Sequence, residues 1–222
     1  MSNKLEAVLF DLDGTLLDTA ADMGAALNAV LVEEGRQPVG PEVAQALASH
    51  GSRGLLEFAY GADFQARKSY LRERFLRHYS AAIVAQTKLY EGVADVLAAL
   101  RQRGLHTAIV TNKPAGLTEQ LMPYFPELQA IKVRVGGDTL PVAKPDPAPI
   151  LHAAALLNVE PTRCWYVGDA ERDIIAGRAA GMQTVLARYG YFIETDTPEL
   201  WGADMEIQQP LELLDILKKH HI

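Results

Sequence analysis

Short apolar runs of β type alternate with helical patterns along most of this chain. The first run is Ala7-Val8-Leu9-Phe10. A second spans His106 to Val110, after Gly104 stops a helical pattern running from Val93 to about Arg103. Further strands are expected at Ile131 to Val135, Cys164 to Val167, Thr184 to Ala187 and Met205 to Ile207. Helical periodicity falls between them, near Pro114 to Tyr124, Pro147 to Leu157, Ala170 to Ala180 and Leu211 to Lys219. Such alternation predicts an α/β fold, a Rossmann-like parallel sheet covered by helices. One stretch breaks it. From Asp18 to about Gln86 only helical spacing is found, as in Ala26, Leu27, Val30 and Leu31 or Tyr70, Leu71, Phe75 and Tyr79. Gly35-Arg36-Gln37-Pro38 and Gly51-Ser52-Arg53-Gly54 interrupt it. The simplest division is a small helical insertion, residues 18–86, after the first strand of a core formed by 1–17 and 87–222. Placed there, the insertion would sit over the carboxyl ends of the strands, where open α/β sheets bind ligands.

Composition narrows the picture. Of 222 residues, 49% are hydrophobic and 22% charged, which is ordinary for a globular protein. The formal net charge is -7 and no basic run occurs, which argues against a nucleic-acid partner. An anionic substrate would have to be met by locally positive groups: a metal, a lysine or helix N-termini. The single cysteine, Cys164, excludes an internal disulfide, and its apolar surroundings suit a buried thiol. No apolar run approaches the roughly 20 residues of a membrane span. The polar start, Met1 to Glu6, does not read as a signal peptide, so a cytoplasmic location is expected. His220 and His221 read as solvated tail.

Four segments carry candidate chemistry, each at the carboxyl end of an expected strand. Phe10-Asp11-Leu12-Asp13-Gly14-Thr15 places two carboxylates one residue apart, where both could converge on one cation. Magnesium takes hard oxygen ligands of this kind together with substrate phosphate and water. Asp13-Gly14 alone would also mark a plain bend. In Val110-Thr111-Asn112-Lys113 a hydroxyl could meet a phosphate oxygen, although strands ending in Thr-Asn are commonplace. In Ala143-Lys144-Pro145-Asp146-Pro147 the prolines could fix Lys144 as a positive charge, or leave it an exposed loop lysine. In Val167-Gly168-Asp169-Ala170-Glu171-Arg172-Asp173, Asp169 could complete a metal site or merely cap a helix, and Asp173 lies about one helical turn on.

Together and in this order, these segments resemble the haloacid dehalogenase-like hydrolase superfamily over nearly the whole chain. The resemblance implies that Asp11 is a nucleophile and Asp13 a general acid/base. It implies that Thr111 and Lys144, with Asn112 beside them, bind the phosphoryl group. Magnesium would be held by Asp11, the backbone carbonyl of Asp13 and Asp169, with Thr15 and Asp173 in support. The helical insertion would be that superfamily's smaller cap. Dehalogenases need no second acidic residue after the nucleophile, so Asp13 favours a phosphate substrate.

Gly136-Gly137-Asp138-Thr139-Leu140-Pro141, followed by Lys144-Pro145-Asp146-Pro147, is similar to the phosphoglycolate phosphatase group. Tyr189-Gly190-Tyr191 with Trp201-Gly202-Ala203-Asp204 resembles a branch acting on N-acetylmuramic acid 6-phosphate. The expected partner is thus a small phosphate ester, foremost 2-phosphoglycolate. Both candidates carry a carboxylate, which Arg53 in the cap could pair bidentately; a solvated loop arginine is equally open, and His50 reads as structural or solvated. A phosphomutase and a non-catalytic member of the family remain as alternatives of other classes. The oligomeric state is not legible.

Overall fold

The computed structural model describes residues 4–219; His220 and His221 lie outside them. The chain enters with strand β1 (Ala7–Phe10), a short β2 (Leu17–Asp18) and helices α1 (Ala20–Glu33), α2 (Pro41–Leu47), α3 (Gly51–Tyr60) and α4 (Asp63–Ala81). It continues through β3 (Lys88–Leu89), α5 (Val93–Gln102), β4 (His106–Val110), α6 (Ala115–Leu121), α7 (Pro126–Gln129) and β5 (Val133–Val135). Then follow α8 (Ala148–Leu157), β6 (Cys164–Gly168), α9 (Glu171–Ala179), β7 (Gln183–Ala187), β8 (Met205–Ile207) and α10 (Glu212–Lys219).

Six strands form one parallel sheet in the order β5-β4-β1-β6-β7-β8. Every residue of β1 is buried, as a central parallel strand covered on both faces requires. Side chains alternate between the faces. Val8, Phe10, Ile109 and Val185 join a core with Val96 and Leu100 of α5 and Leu213 and Leu217 of α10. Ala7, Leu9, Ala108 and Val110 join another with Ile150 and Ala153 of α8 and Ala176 of α9. Cys164 belongs to this second core; burial raises its thiol to about 12, so it stays a neutral thiol.

The run from Asp18 to Gln86 is helical, as its periodicity predicts. At its ends the chain adds a feature that periodicity does not reveal: β2 and β3 pair antiparallel, Leu17 opposite Leu89 and Asp18 opposite Lys88. Two-residue strands carry too little pattern to be read from sequence. Buried Asp22 in the first turn of α1 ties the same junction, accepting the N–H groups of Ala85, Gln86 and Thr87 and the Thr87 hydroxyl. The four helices thus leave and rejoin the sheet at one place. The Gly51 to Gly54 interruption is a bend rather than a loop: Gly51, at φ +65°, turns a short 3-10 segment (Ala48–His50) into α3. A Cβ on Gly54 would lie 2.2 Å from that of His50, so glycine permits the tight turn. No helix among the described residues is long and apolar enough to cross a membrane.

Candidate active site

The parallel topology delivers all four motif segments to one edge. β1, β4 and β6 lie side by side and end at Phe10, Val110 and Gly168, so Asp11, Thr111 and Asp169 follow directly. Beside them lies a cavity of about 480 Å³. Its core side carries Asp11, Asp13, Thr111, Lys113 and Arg172; its helical side carries Ser49, Arg53, Arg72, Phe75 and Tyr79.

Lys144 is fully buried and its ammonium is the hub of the site. Its Nζ lies 3.0 Å from Asp11 Oδ1 and 2.7 Å from Asp173 Oδ1. It also donates to the Val110 carbonyl and the Tyr166 hydroxyl, each at 2.8 Å. The lysine is therefore no exposed loop lysine. Asn112 holds its loop in place: the amide Nδ2 donates to the Lys144 carbonyl, and the Lys144 N–H donates to Asn112 Oδ1. Asn112 thus spends its side chain on the lysine's backbone.

Asp11, Asp169 and Asp173 are all buried, and each offers a carboxylate oxygen within 4.8 Å of the others'. Burial alone would raise the Asp11 carboxyl, but Lys144, Arg172 and the Leu12 N–H together hold it below its ordinary range. Asp173 is raised, chiefly by burial, which Lys144 offsets only in part. Asp169 is pushed up to about 7, first by burial and then by repulsion from Asp173 and Asp11. Three buried carboxylates with two of them forced up in this way are short of positive charge. Their hard oxygen donors fit a divalent cation, which would relieve that repulsion.

Glycines allow this crowding. Gly14 sits at φ +82°, and a Cβ there would lie 2.2 Å from Asp169 Oδ2. A Cβ on Gly190 would collide with Asp169, and one on Gly168 with Asp173. Asp169 is not a helix cap. Its oxygens accept from Thr15 Oγ1 (3.3 Å), Ser49 Oγ (2.5 Å) and the Tyr191 N–H (3.0 Å). Asp173 instead accepts the N–H of Ala170 at the start of α9.

The side chain of Asp13 is not among the clustered carboxylates. It accepts from Lys113 Nζ at 2.9 and 3.0 Å and from the Thr19 hydroxyl at 2.7 Å. Arg53 lies in the first turn of α3 at the cavity wall, with its side chain 63% exposed and 3.4 Å from Glu57. His50 lines the same wall; burial lowers its pKa, helped by Arg172. Sequence reading passed over three site residues. Lys113 and Arg172 stand inside the quoted motifs, one beside Asn112 and one before Asp173, where neighbouring motif residues were the only signal. Ser49 has no sequence signal, because its partner is 120 residues away.

The haloacid dehalogenase-like hydrolase family matches residues 8–187, and the chain belongs to that family. It is 44% identical over 207 residues to a phosphoglycolate phosphatase of Xanthomonas campestris pv. campestris, covering 93% of this chain and 94% of the relative. It is 38% identical over 217 residues to an N-acetylmuramic acid 6-phosphate phosphatase of Pseudomonas aeruginosa, covering 97% and 96%. The crystal structure of a predicted phosphoglycolate phosphatase from Haemophilus somnus 129PT superposes with a TM-score of 0.86 at 25% identity, covering 97% of this chain and 99% of the other. With these relatives over nearly its full length, the chain is a phosphatase of the family.

Proposed function

We propose that this protein is a magnesium-dependent phosphomonoesterase that hydrolyses 2-phosphoglycolate through a phosphoryl group carried on Asp11. The observation that carries the reading is the Asp11 carboxylate: buried at the edge of the cavity, held ionised, with one oxygen on Lys144 and the other 3.9 Å from Arg172. An ionised, poorly solvated carboxylate flanked by fixed cations suits attack on a phosphoryl group.

In the first step an Asp11 oxygen bonds to phosphorus while the bond to the leaving oxygen breaks, and Asp13 supplies the proton that oxygen needs. In the second, water attacks the aspartyl-phosphate, Asp13 takes the proton, and Asp11 is released with inorganic phosphate. Thr111, close beside Asp11 at the neighbouring strand end, orients a phosphoryl oxygen. Lys144 neutralises charge during transfer, with Asn112 acting by holding its loop. Asp11, Asp169 and the Asp13 carbonyl would hold magnesium, with Thr15 and Asp173 supporting; when bound, the ion supplies charge neutralisation on the phosphoryl oxygens. Residues 18–86 form the cap, and Arg53 on its wall is placed to meet a substrate carboxylate.

A second substrate, N-acetylmuramic acid 6-phosphate, is favoured by the cavity. About 480 Å³ bordered by Phe75, Leu76 and Leu117 leaves room and apolar surface for a sugar ring that a two-carbon acid cannot use. The sequence features resembling that branch do not argue for it directly. Tyr189 donates to the Thr15 carbonyl, Tyr191 meets Asp18 and the start of α1, and Asp204 accepts from Thr184, none of them from the cavity wall.

A panel of phosphate esters assayed for phosphate release with magnesium tests the reading. 2-Phosphoglycolate should give the highest kcat/KM. A higher value for N-acetylmuramic acid 6-phosphate would move the assignment to the sugar acid. Phosphoryl return to substrate without net release would indicate a mutase, and no turnover of any ester a non-catalytic member.

A further inference from the structure

Lys113 is buried nearly as deeply as Lys144, yet the steps above give it no task. Its side chain is 4% exposed, and its Nζ holds both oxygens of Asp13, at 2.9 and 3.0 Å. On its other side the ammonium lies 4.6 Å from the ring centroid of Tyr79, in the last turns of α4. A lysine so placed gains from the ring as well as from the carboxylate. Its backbone is fixed too: the Lys113 N–H donates to Thr111 Oγ1, and its carbonyl accepts from Gly137. With Thr19 on Oδ1, the Asp13 carboxylate is held from two sides at the cavity wall.

We infer that Lys113 is a positioning residue: it fixes the Asp13 carboxylate for proton transfer and, through Tyr79, ties that placement to the seating of the helical insertion on the core. The inference rests on Asp13 being the general acid/base. Because proton transfer demands placement within hydrogen-bond reach, a freely rotating Asp13 would serve it poorly. Tyr79 comes from the inserted helices and Lys113 from the sheet edge, so the contact forms only when the two are packed together.

Leaving-group chemistry separates this role from a merely structural one. 2-Phosphoglycolate expels an alkoxide that needs a proton, whereas p-nitrophenyl phosphate expels a phenolate that needs none. Because kcat/KM reports steps through leaving-group departure, Lys113→Met should lower it for 2-phosphoglycolate by roughly 10- to 100-fold, within the range of a general acid's contribution. That loss should be at least about ten times the loss on p-nitrophenyl phosphate, following the same argument. Lys113→Arg should restore most of it. In an Asp13→Asn background Lys113→Met should cost less than about threefold more, since a residue acting through Asp13 has nothing left to position. Tyr79→Leu, which removes the ring beneath Lys113 but keeps an apolar side chain at that buried position, should show the same contrast at smaller size and serves if Lys113→Met does not fold. Equal losses on both esters in both variants, or the full Lys113→Met loss persisting without Asp13, would overturn the inference. Trapping the phosphoenzyme in the wild type separates the two readings. A labelled Asp11 without the leaving-group contrast overturns the role of Lys113 and leaves the phosphatase mechanism standing; an unlabelled wild type overturns both.

Discussion

On the core side of the cavity, Asp11 and Lys144 have side chains no more than 2% exposed, and each meets partners from neighbouring strands or from α9. On the wall formed by the inserted helices, Arg53 is 63% exposed and has one loose pair with Glu57, itself 41% exposed. The core side is dry, dense and over-determined, with glycines required so that carboxylates can approach. On the helical wall the arginines, Arg53 and Arg72, reach solvent. Charges fixed in a dry site stabilise a reaction without reorganising, whereas exposed pairs contribute about 0–1 kcal/mol. The core side therefore suits the phosphoryl chemistry that every ester shares, and the wall suits the part of the substrate that differs.

Breaking the core side should be costly. Asp11→Asn should reduce phosphate release roughly a thousandfold or more, as loss of a covalent nucleophile does, with circular dichroism unchanged; activity within tenfold of wild type would remove Asp11 from its role. Chelation should abolish most turnover, and single-ion add-back should recover it best with magnesium. Asp169→Ala should raise the magnesium concentration needed for half-activation rather than slow the saturated rate to the same degree. Full activity in chelated protein would rule out the metal reading.

Gly14→Ala tests the crowding itself. It adds a methyl against Asp169 at a backbone conformation that disfavours side chains, which should cost about 1–3 kcal/mol of stability in denaturant melts together with metal affinity. A neutral result would mean the loop relaxes freely.

The raised Asp169 has a signed consequence. Between about pH 4 and 7 the folded metal-free protein keeps a proton on Asp169 that the unfolded chain has lost, so this group makes stability fall as pH rises through that window. Thermal melts of the chelated protein across it, repeated with Asp169→Asn, should show the slope only where the aspartate is present. Magnesium should flatten it.

The smallest effect is expected at the wall. Because Arg53 is exposed and already paired, Arg53→Ala should cut kcat/KM for 2-phosphoglycolate by only a few-fold, in line with a solvent-screened pair. p-Nitrophenyl phosphate should hardly change. A loss above about thirtyfold, beyond what a screened pair supplies, would mean that Arg53 leaves Glu57 and becomes enclosed with the substrate, erasing the contrast between wall and core.

Much of this is legible in the sequence. Parallel strands buried on both faces read as apolar runs, and β1, β4, β6 and β7 fall where such runs lie, to within a residue, while the short edge strand β8 lies at Met205–Ile207 as expected. Because parallel strands all end at one edge, residues following those runs had to gather there, which is why Asp11, Thr111 and Asp169 could be named from spacing and likeness. The helical nature of 18–86 was legible for the same reason. Partnership was not. Local pattern places a residue at the end of a strand, but its rotamer is settled by groups far away in sequence. Asp13 turns to Lys113, 100 residues on, while Asp173 joins Asp11 and Asp169; Asn112 closes on the backbone of Lys144; Ser49 reaches Asp169; Arg53 stays in solvent beside Glu57. Those choices follow from burial, repulsion between like charges and the space that Gly14, Gly168 and Gly190 leave open, all of which exist only once the sheet and the inserted helices have packed.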